Sequence, residues 1–538
     1  MNTNIDKVHF RNIITPQPFS LTLRASNFTI NEETLVLADE YTRSTSQFLT
    51  DFLRSTTDLN LKLEELNEYS SAENCIILKL NSRFHRNNEA YNLEITQDKT
   101  FITAPTNRGL FYGIQSLIQL IQRDIYYSNG EKNQVRIYCV EIEDFPRFEW
   151  RGFMLDEARH FFGKEIVKKI LNIMAMLKFN TFHWHLTDDQ GWRIEIKKYP
   201  QLTEIGSRRE GTAIFTRKGI LKSELERNQI DGKQIIGYYT QEELKEIVNY
   251  AAERYITIIP EIDMPGHTTA LLAAYPNLSC TGGPFNVGTK FGIYKDILCV
   301  GKEKVFNFIE NILEEIFELF PSEFIHIGGD EVPKSRWKKC VDCQKRMKSE
   351  GIKNTEDLQV YFTNRIAKFL LSHEKKVVSW NDTIHRNLKK EIYCQYWNAH
   401  LDKVLNDLKE GRKVIISEVD PTYLNYPYLS NSLQNTYQYD PIPKELEEKY
   451  NDSFIGIEAC MWTERIKTQK KLEWLLYPRL IAIAEIGWSQ KNNKDYSSFK
   501  KRLKLFKNTL NSYDVNYALK EEYEGQPTNT SKHYFETI

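Results

Sequence analysis

Cysteine is scarce in this chain, with 8 in 538 residues, whereas disulfide scaffolds crowd cysteine into short secreted domains. Proline and glycine are also few, 17 and 24, which excludes a fibrous or low-complexity chain. Neither sign of charge dominates: 72 basic side chains face 73 acidic ones, for a formal net charge of -1. A nucleic-acid binder carries a basic excess, so no nucleic-acid partner is expected. No apolar run reaches the roughly 18 residues of a membrane span, and the opening residues MNTNIDKVHF lack the apolar stretch of a signal peptide. The expectation is a protein without a membrane span, cytoplasmic as written, with export behind a trimmed leader as the alternative. What is present is an ordinary globular composition, 41% hydrophobic and 27% charged, in a chain long enough for two or three cores. Nothing in it sets the oligomeric state.

Two cysteine pairings stand out. Cys340 and Cys343 form a CxxC, which suits a redox pair or half of a zinc site, but no second CxxC follows and zinc needs four ligands, so no metal is expected there. Cys280 and Cys299 bracket the loop CTGGPFNVGTKFGIYKDILC, which either closes as a disulfide or keeps two reduced thiols.

Residues 1–145 read as a mixed α+β unit with strand-like stretches at Thr34 to Leu37, Cys75 to Leu80 and Tyr91 to Ile95. An amphipathic helix follows, GLFYGIQSLIQLI, with Leu110, Ile114, Leu117 and Ile121 on one face. Over 146–490 short apolar strands alternate with helix-period segments, the pattern of parallel β/α architecture. The strands are FEWRGFML, TFHWHL, ITIIPE, FIHIGG, KVVSW, IYCQYW, KVIISEV and FIGIEACMW. Eight of them predict a (β/α)8 TIM barrel, with long insertions after the second and seventh. The fifth-to-sixth link is too short for a full helix. Between strands lie KEIVKKILNIMAML and QEELKEIVNYAAERY, the latter opened by Thr240 and Glu243 at capping-box spacing. Residues 491–538 add the amphipathic helix FKKRLKLFKNTL and a polar tail, expected to pack on the barrel.

Barrel active sites lie at the C-terminal ends of the strands. Those ends deliver Asp156, Arg159 and His160; Asp188, Asp189 and Trp192; Glu261, Asp263 and His267; Asp330 and Glu331. Later strands add Trp380, Trp397, Tyr423 with Asn425, and Trp462 with Glu464. Carboxylates and tryptophans around one mouth suit a sugar, which offers hydroxyls to bind and C–H faces to stack. In HIGGDEV, residues 326–332, two glycines permit a tight turn that presents adjacent carboxylates. Retaining glycosidases hold acid and nucleophile about 5 to 5.5 Å apart across the bond, which neighbours in the chain do not do comfortably. Glu331 then fits a general acid and Asp330 an orienter, if the nucleophile belongs to the substrate, such as a 2-acetamido carbonyl.

HIGGDEV, with RGFMLDEARHF (151–161), HWHLTDDQGWR (183–193), PEIDMPGH (260–267) and ACMWTE (459–464), resembles the β-N-acetylhexosaminidases of glycoside hydrolase family 20. The resemblance implies an exo-acting hydrolase of terminal β-linked N-acetylglucosamine, with N-acetylgalactosamine as a second substrate. It implies retention of configuration through an oxazolinium intermediate and no cofactor. It also implies a role for each matching residue. Glu331 is the general acid and base, with a pKa raised by the neighbouring charge on Asp330. Asp330 orients the acetamido group. Asp188 and His267 form a relay behind Glu331, with Asp263 beside it. Arg159 clamps the C3 and C4 hydroxyls. Trp380, Trp397 and Trp462 wall the sugar, Tyr423 bonds the acetamide oxygen, and Glu464 accepts from a hydroxyl. One position departs from the family: Asn425 stands where an Asp is usual, which leaves the gluco or galacto preference open.

Two rivals remain. His183 and His185 in HxH spacing, with His267 and His326, would serve a metal-dependent hydrolase, and a sugar-binding protein without activity would keep the tryptophans.

Overall fold

The computed structural model describes residues 13–66, 73–84, 87–127, 133–213, 230–397, 408–442 and 449–524, with Leu405 and Leu446 besides. The chain divides into two compact units. One comprises residues 1–151, 172–179 and 478–517, the other residues 152–171, 180–477 and 518–538.

The first unit is built on a seven-stranded sheet. Its strands are β1 (Ser20–Ile30), β2 (Leu35–Ala38), β3 (Lys62–Glu65), β4 (Cys75–Leu80), β5 (Tyr91–Ile95), β6 (Lys99–Ala104) and β7 (Val135–Asp144). They are arranged β1-β7-β5-β6-β4-β2-β3. In β5 and β6 buried and part-exposed residues alternate strictly, as a sheet with one covered face requires. The helix Asn107–Tyr127 lies against this sheet, with Leu110, Ile114, Leu117 and Ile121 buried as their spacing predicts.

Tyr496–Ser512 forms the amphipathic helix read from the sequence, and it groups with the first unit, as does the helix Arg479–Trp488. There Thr509 donates to Gln122 at 2.9 Å, and Arg502 pairs with Glu485 of the helix Arg479–Trp488 at 2.6 Å. Amphipathic spacing shows that a helix has a face to bury but not what will cover it. The end of the polar tail, residues 525–538, lies outside the described residues.

The second unit carries a closed parallel barrel. Its strands are β8 (Trp150–Asp156), β9 (Thr181–His185), β10 (Thr257–Glu261), β11 (Phe324–His326), β12 (Lys376–Trp380), β13 (Tyr393–Tyr396), β14 (Val414–Ile416) and β15 (Phe454–Met461). All eight fall on the stretches read from the sequence. Every residue of β9, histidines included, is buried, because barrel strands have an inner layer and an outer helical cover. The Gln241–Ala252 helix starts at a true capping box: Thr240 accepts from the Glu243 amide at 3.2 Å, and Glu243 accepts from the Thr240 amide at 3.1 Å. Between β12 and β13 there is only a 3-10 turn, Asn381–Thr383, where a barrel helix would stand. The stretch from β10 to the helix Glu303–Leu319 is also long, and it holds Cys280 and Cys299. All eight cysteines are free thiols.

Candidate active site

The mouth of the barrel is shaped by the turn after β11. Gly328 and Gly329 have φ of +63° and +100°, and a Cβ on Gly328 would lie 1.8 Å from Asp263 Oδ1. The chain can therefore press onto Asp263, which accepts from the Gly329 amide at 3.1 Å. The next residue but one, Glu331, is itself left-handed at φ 47°, as is His267 at φ 49°. Such backbone is uncommon outside glycine and clusters at functional sites. Here it brings the two side chains face to face: His267 Nε2 lies 3.6 Å from Glu331 Oε2 and 3.8 Å from Asp330 Oδ2.

Behind them is a buried charge network. The other ring nitrogen of His267 lies 3.1 Å from Asp189 and 3.3 Å from Asp188. Asp188 also pairs with Arg159 at 2.7 Å and His185 at 2.9 Å. One layer deeper, Glu261 accepts from Trp380 Nε1 at 2.8 Å, lies 3.0 Å from His183 and 3.1 Å from His326, and bonds His185. Burial alone would push Glu261 up, but the facing imidazoles hold it well below the usual carboxylate range. Burial likewise opposes charge on His267, yet the Asp188 and Asp189 carboxylates hold it well above an ordinary histidine. The surroundings of His267 thus favour its charged form, facing the two carboxyls.

An open cavity of about 210 Å3 lies over this network. Arg159, His267, Asp330, Glu331, Trp380, Trp397, Tyr423, Asn425, Trp462 and Glu464 all line it, joined by Tyr426. Asp188 and Asp263 stand behind it. Trp380 and Trp462 are 5.8 Å apart between ring centres, with Tyr423 6.2 Å from Trp462. Trp397 is held by its indole N–H on Asp382 at 2.7 Å, and the Arg159 guanidinium sits 5.0 Å over the Trp462 ring. Two buried acceptors of the lining, Asp330 Oδ1 and Asn425 Oδ1, have no hydrogen-bond partner among the described residues. Buried polar atoms are nearly always paired, so these two call for a ligand or water.

One electrostatic expectation is reversed. Glu331 is not raised by its neighbour: the His267 imidazolium lowers its pKa against the effect of burial. Asp330 is the raised carboxyl, at about 7, chiefly by burial, with nearby carboxylates adding to it and His267 opposing. The reason is solvent. The Glu331 side chain is 38% exposed and that of Asp330 only 15%, a difference that residue order does not carry. The paired histidines His183 and His185 stand on the same side of β9, as HxH spacing predicts. His183 is bracketed by Glu458 at 2.7 Å and Glu261 at 3.0 Å, beneath the cavity lining. Three contributors had no assigned role in the sequence reading. Asp189 and Glu261 were visible only as strand-end carboxylates; Tyr426 lay three residues after Tyr423, a spacing that could have flagged it.

A parallel barrel whose C-terminal mouth combines a wall of indoles with adjacent carboxylates is an arrangement for cleaving sugars. Residues 148–491 match the family model of the glycosyl hydrolase family 20 catalytic domain, and residues 12–145 match that family's domain 2. The chain belongs to glycosyl hydrolase family 20. It is 37% identical over 519 residues to a β-hexosaminidase of Porphyromonas gingivalis, covering 94% of this chain and 64% of that protein. A β-hexosaminidase of Vibrio furnissii is 35% identical over 75% of this chain and 66% of its own length. The chain thus spans just under two thirds of either relative. The crystal structure of a family 20 exo-β-N-acetylglucosaminidase from Vibrio harveyi, in complex with N-acetylglucosamine, superposes with a TM-score of 0.80 at 29% identity, over 94% of this chain and 79% of that one.

Proposed function

We propose that this chain removes terminal, non-reducing β-linked N-acetylglucosamine, and N-acetylgalactosamine as a second substrate, with retention by substrate-assisted catalysis. The observation that carries the reading is the pairing of a buried carboxyl, Asp330, whose free oxygen faces an indole-lined cavity, with a more exposed carboxyl, Glu331, on the next residue. Neighbouring carboxyls do not comfortably straddle a glycosidic bond as acid and nucleophile, so the nucleophile of the first step comes from the substrate.

Glu331, protonated, gives its proton to the leaving oxygen as the acetamido carbonyl oxygen forms a bond to the anomeric carbon. The C–O bond to the leaving group breaks, and a positively charged oxazolinium remains. Asp330, ionised, stabilises that charge. The Glu331 carboxylate then takes a proton from a water that attacks the anomeric carbon from the face the leaving group vacated. Retention and a regenerated acetamide follow. In the open site the shared proton favours Asp330. A bound sugar strips water from Glu331, which raises its pKa, while the developing cation favours ionised Asp330. Substrate binding therefore moves the proton to where it is needed. Arg159, fixed by Asp188 and by Gln190 at 3.0 Å, offers donors to ring hydroxyls. The unpaired Asn425 oxygen is free to accept from one. The N-acetylglucosamine held by the Vibrio harveyi relative supports the substrate class.

The test compares chromogenic β-glycosides with and without the 2-acetamido group, on the wild type and Glu331→Gln. The plain glucoside should be essentially inert. Glu331→Gln should lower kcat/KM by about 10^2 to 10^4-fold, as expected for a lost general acid. Similar rates on both glycosides, or a trapped protein–sugar bond, would overturn the mechanism.

A further inference from the structure

Four cysteines from two segments of the barrel unit converge on one point. Cys280 and Cys299 adjoin the isolated antiparallel bridge between Ser279 and Leu298, in the stretch after β10. Cys340 is the N-cap of the helix Val341–Ser349, and Cys343 lies in its first turn. All four sulfurs are within 4.8 Å of one another. The separations are 3.9 Å for Cys280 to Cys343, 3.6 Å for Cys299 to Cys340 and 3.7 Å for Cys299 to Cys343. Four thiolates bound to zinc at about 2.3 Å form a tetrahedron whose edges are about 3.8 Å. Three of the four thiols are buried and none is cross-linked.

We propose that Cys280, Cys299, Cys340 and Cys343 form a structural zinc site. The CxxC supplies one half, as read from the sequence, and the fold supplies the two ligands that the sequence lacks. Four protein thiolates leave no open position, so the ion holds structure and does no chemistry. Zinc fits a compact tetrahedral sulfur set, whereas a polynuclear iron–sulfur cluster needs its ligands farther apart than these.

The surroundings are those of ligand loops held in place. A Cβ on Gly301 would lie 2.1 Å from the Asp342 carbonyl carbon, so only glycine lets this loop reach the helix start. The Cys299 amide donates to Leu278 at 2.9 Å, and Trp337 Nε1 donates to Leu298 at 2.9 Å. None of the four cysteines lines the cavity over Asp330. The ion instead ties the segment after β10, which carries His267, to the segment after β11, which carries Asp330 and Glu331.

The experiment is elemental analysis of the full-length protein purified without chelator, together with the absorption spectrum of protein produced in cobalt medium. One zinc per chain is expected, with cobalt giving thiolate charge-transfer bands and the intense visible bands of a tetrahedral ion. Cys299→Ser and Cys343→Ser should each lower the metal content at least about tenfold. The wild-type measurements need no variant to fold. Wild-type protein without metal, iron in place of zinc, disulfides mapped among these four cysteines, or variants with undiminished zinc would each overturn the site.

Discussion

Asp330 and Glu331 are chain neighbours in different surroundings, and that difference decides where a proton sits. Asp330, buried, is pushed up to about 7, while Glu331, nearer to water and to the His267 imidazolium, is lowered. The two carboxyls titrate as a pair. Below the raised value the pair keeps the one proton that acid catalysis needs; above it that proton is lost. We therefore expect kcat/KM to be level in mildly acidic solution and to fall above an apparent pKa near 7, the limb shifting in Asp330→Asn. A profile flat well into alkaline solution would contradict this. Stability follows the same sign. The folded value lies above the unfolded carboxyl value of about 3.9, so the contribution of Asp330 is lost as pH rises through the folded value. In denaturant titrations, Asp330→Asn should gain on the wild type in mildly alkaline solution.

At the scale of elements, the site depends on how each strand leaves the barrel. The Gly328–Gly329 turn lies directly on Asp263, and a methyl at Gly328 would meet Asp263 Oδ1 at 1.8 Å and its Cα at 2.9 Å. The backbone there also carries φ +63°. Gly328→Ala should cost about 1–3 kcal/mol in backbone strain and displace Asp330 and Glu331. A displacement of about 1 Å lowers kcat by about 10^2-fold. Gly351, also left-handed at φ +66° but with nothing within 4 Å of its Cβ position, is the control. Gly351→Ala should show comparable strain by thermal denaturation with kcat unchanged. Equal kcat in both variants would show that the turn does not position the carboxylates.

For the molecule as a whole, segments far apart in the chain, residues 13–151 and 478–517, belong to one unit. Glu485 and Arg502 are fully buried and 2.6 Å apart. Glu485 also accepts from the Gln17 amide at 3.0 Å, and Arg502 donates to the Gln17 side chain at 2.9 Å. Glu485→Ala leaves a guanidinium buried without its carboxylate, so we expect a loss of about 3–5 kcal/mol in denaturant unfolding. Replacing both residues by leucine and methionine should restore much of it, since no bare charge is then buried. A loss in Glu485→Ala below about 1 kcal/mol would show that the pair is solvated after all.

The residues alone determined whatever depends on short stretches of chain. Strand alternation, helix spacing, the Thr240 capping box and the polar ends of eight strands were legible because backbone hydrogen bonding and side-chain period act within a few residues. Ten of the residues picked from those ends line the cavity, since a parallel barrel must deliver its strand ends to one mouth. Tertiary structure decided the rest. It placed the helix Tyr496–Ser512 with the first unit, lowered Glu331 and raised Asp330, gave His267 its partner Asp189, and gathered four cysteines that lie in separate segments of sequence. Desolvation, charge pairing and metal coordination are set by what distant segments bring within a few ångströms, and no local pattern encodes that.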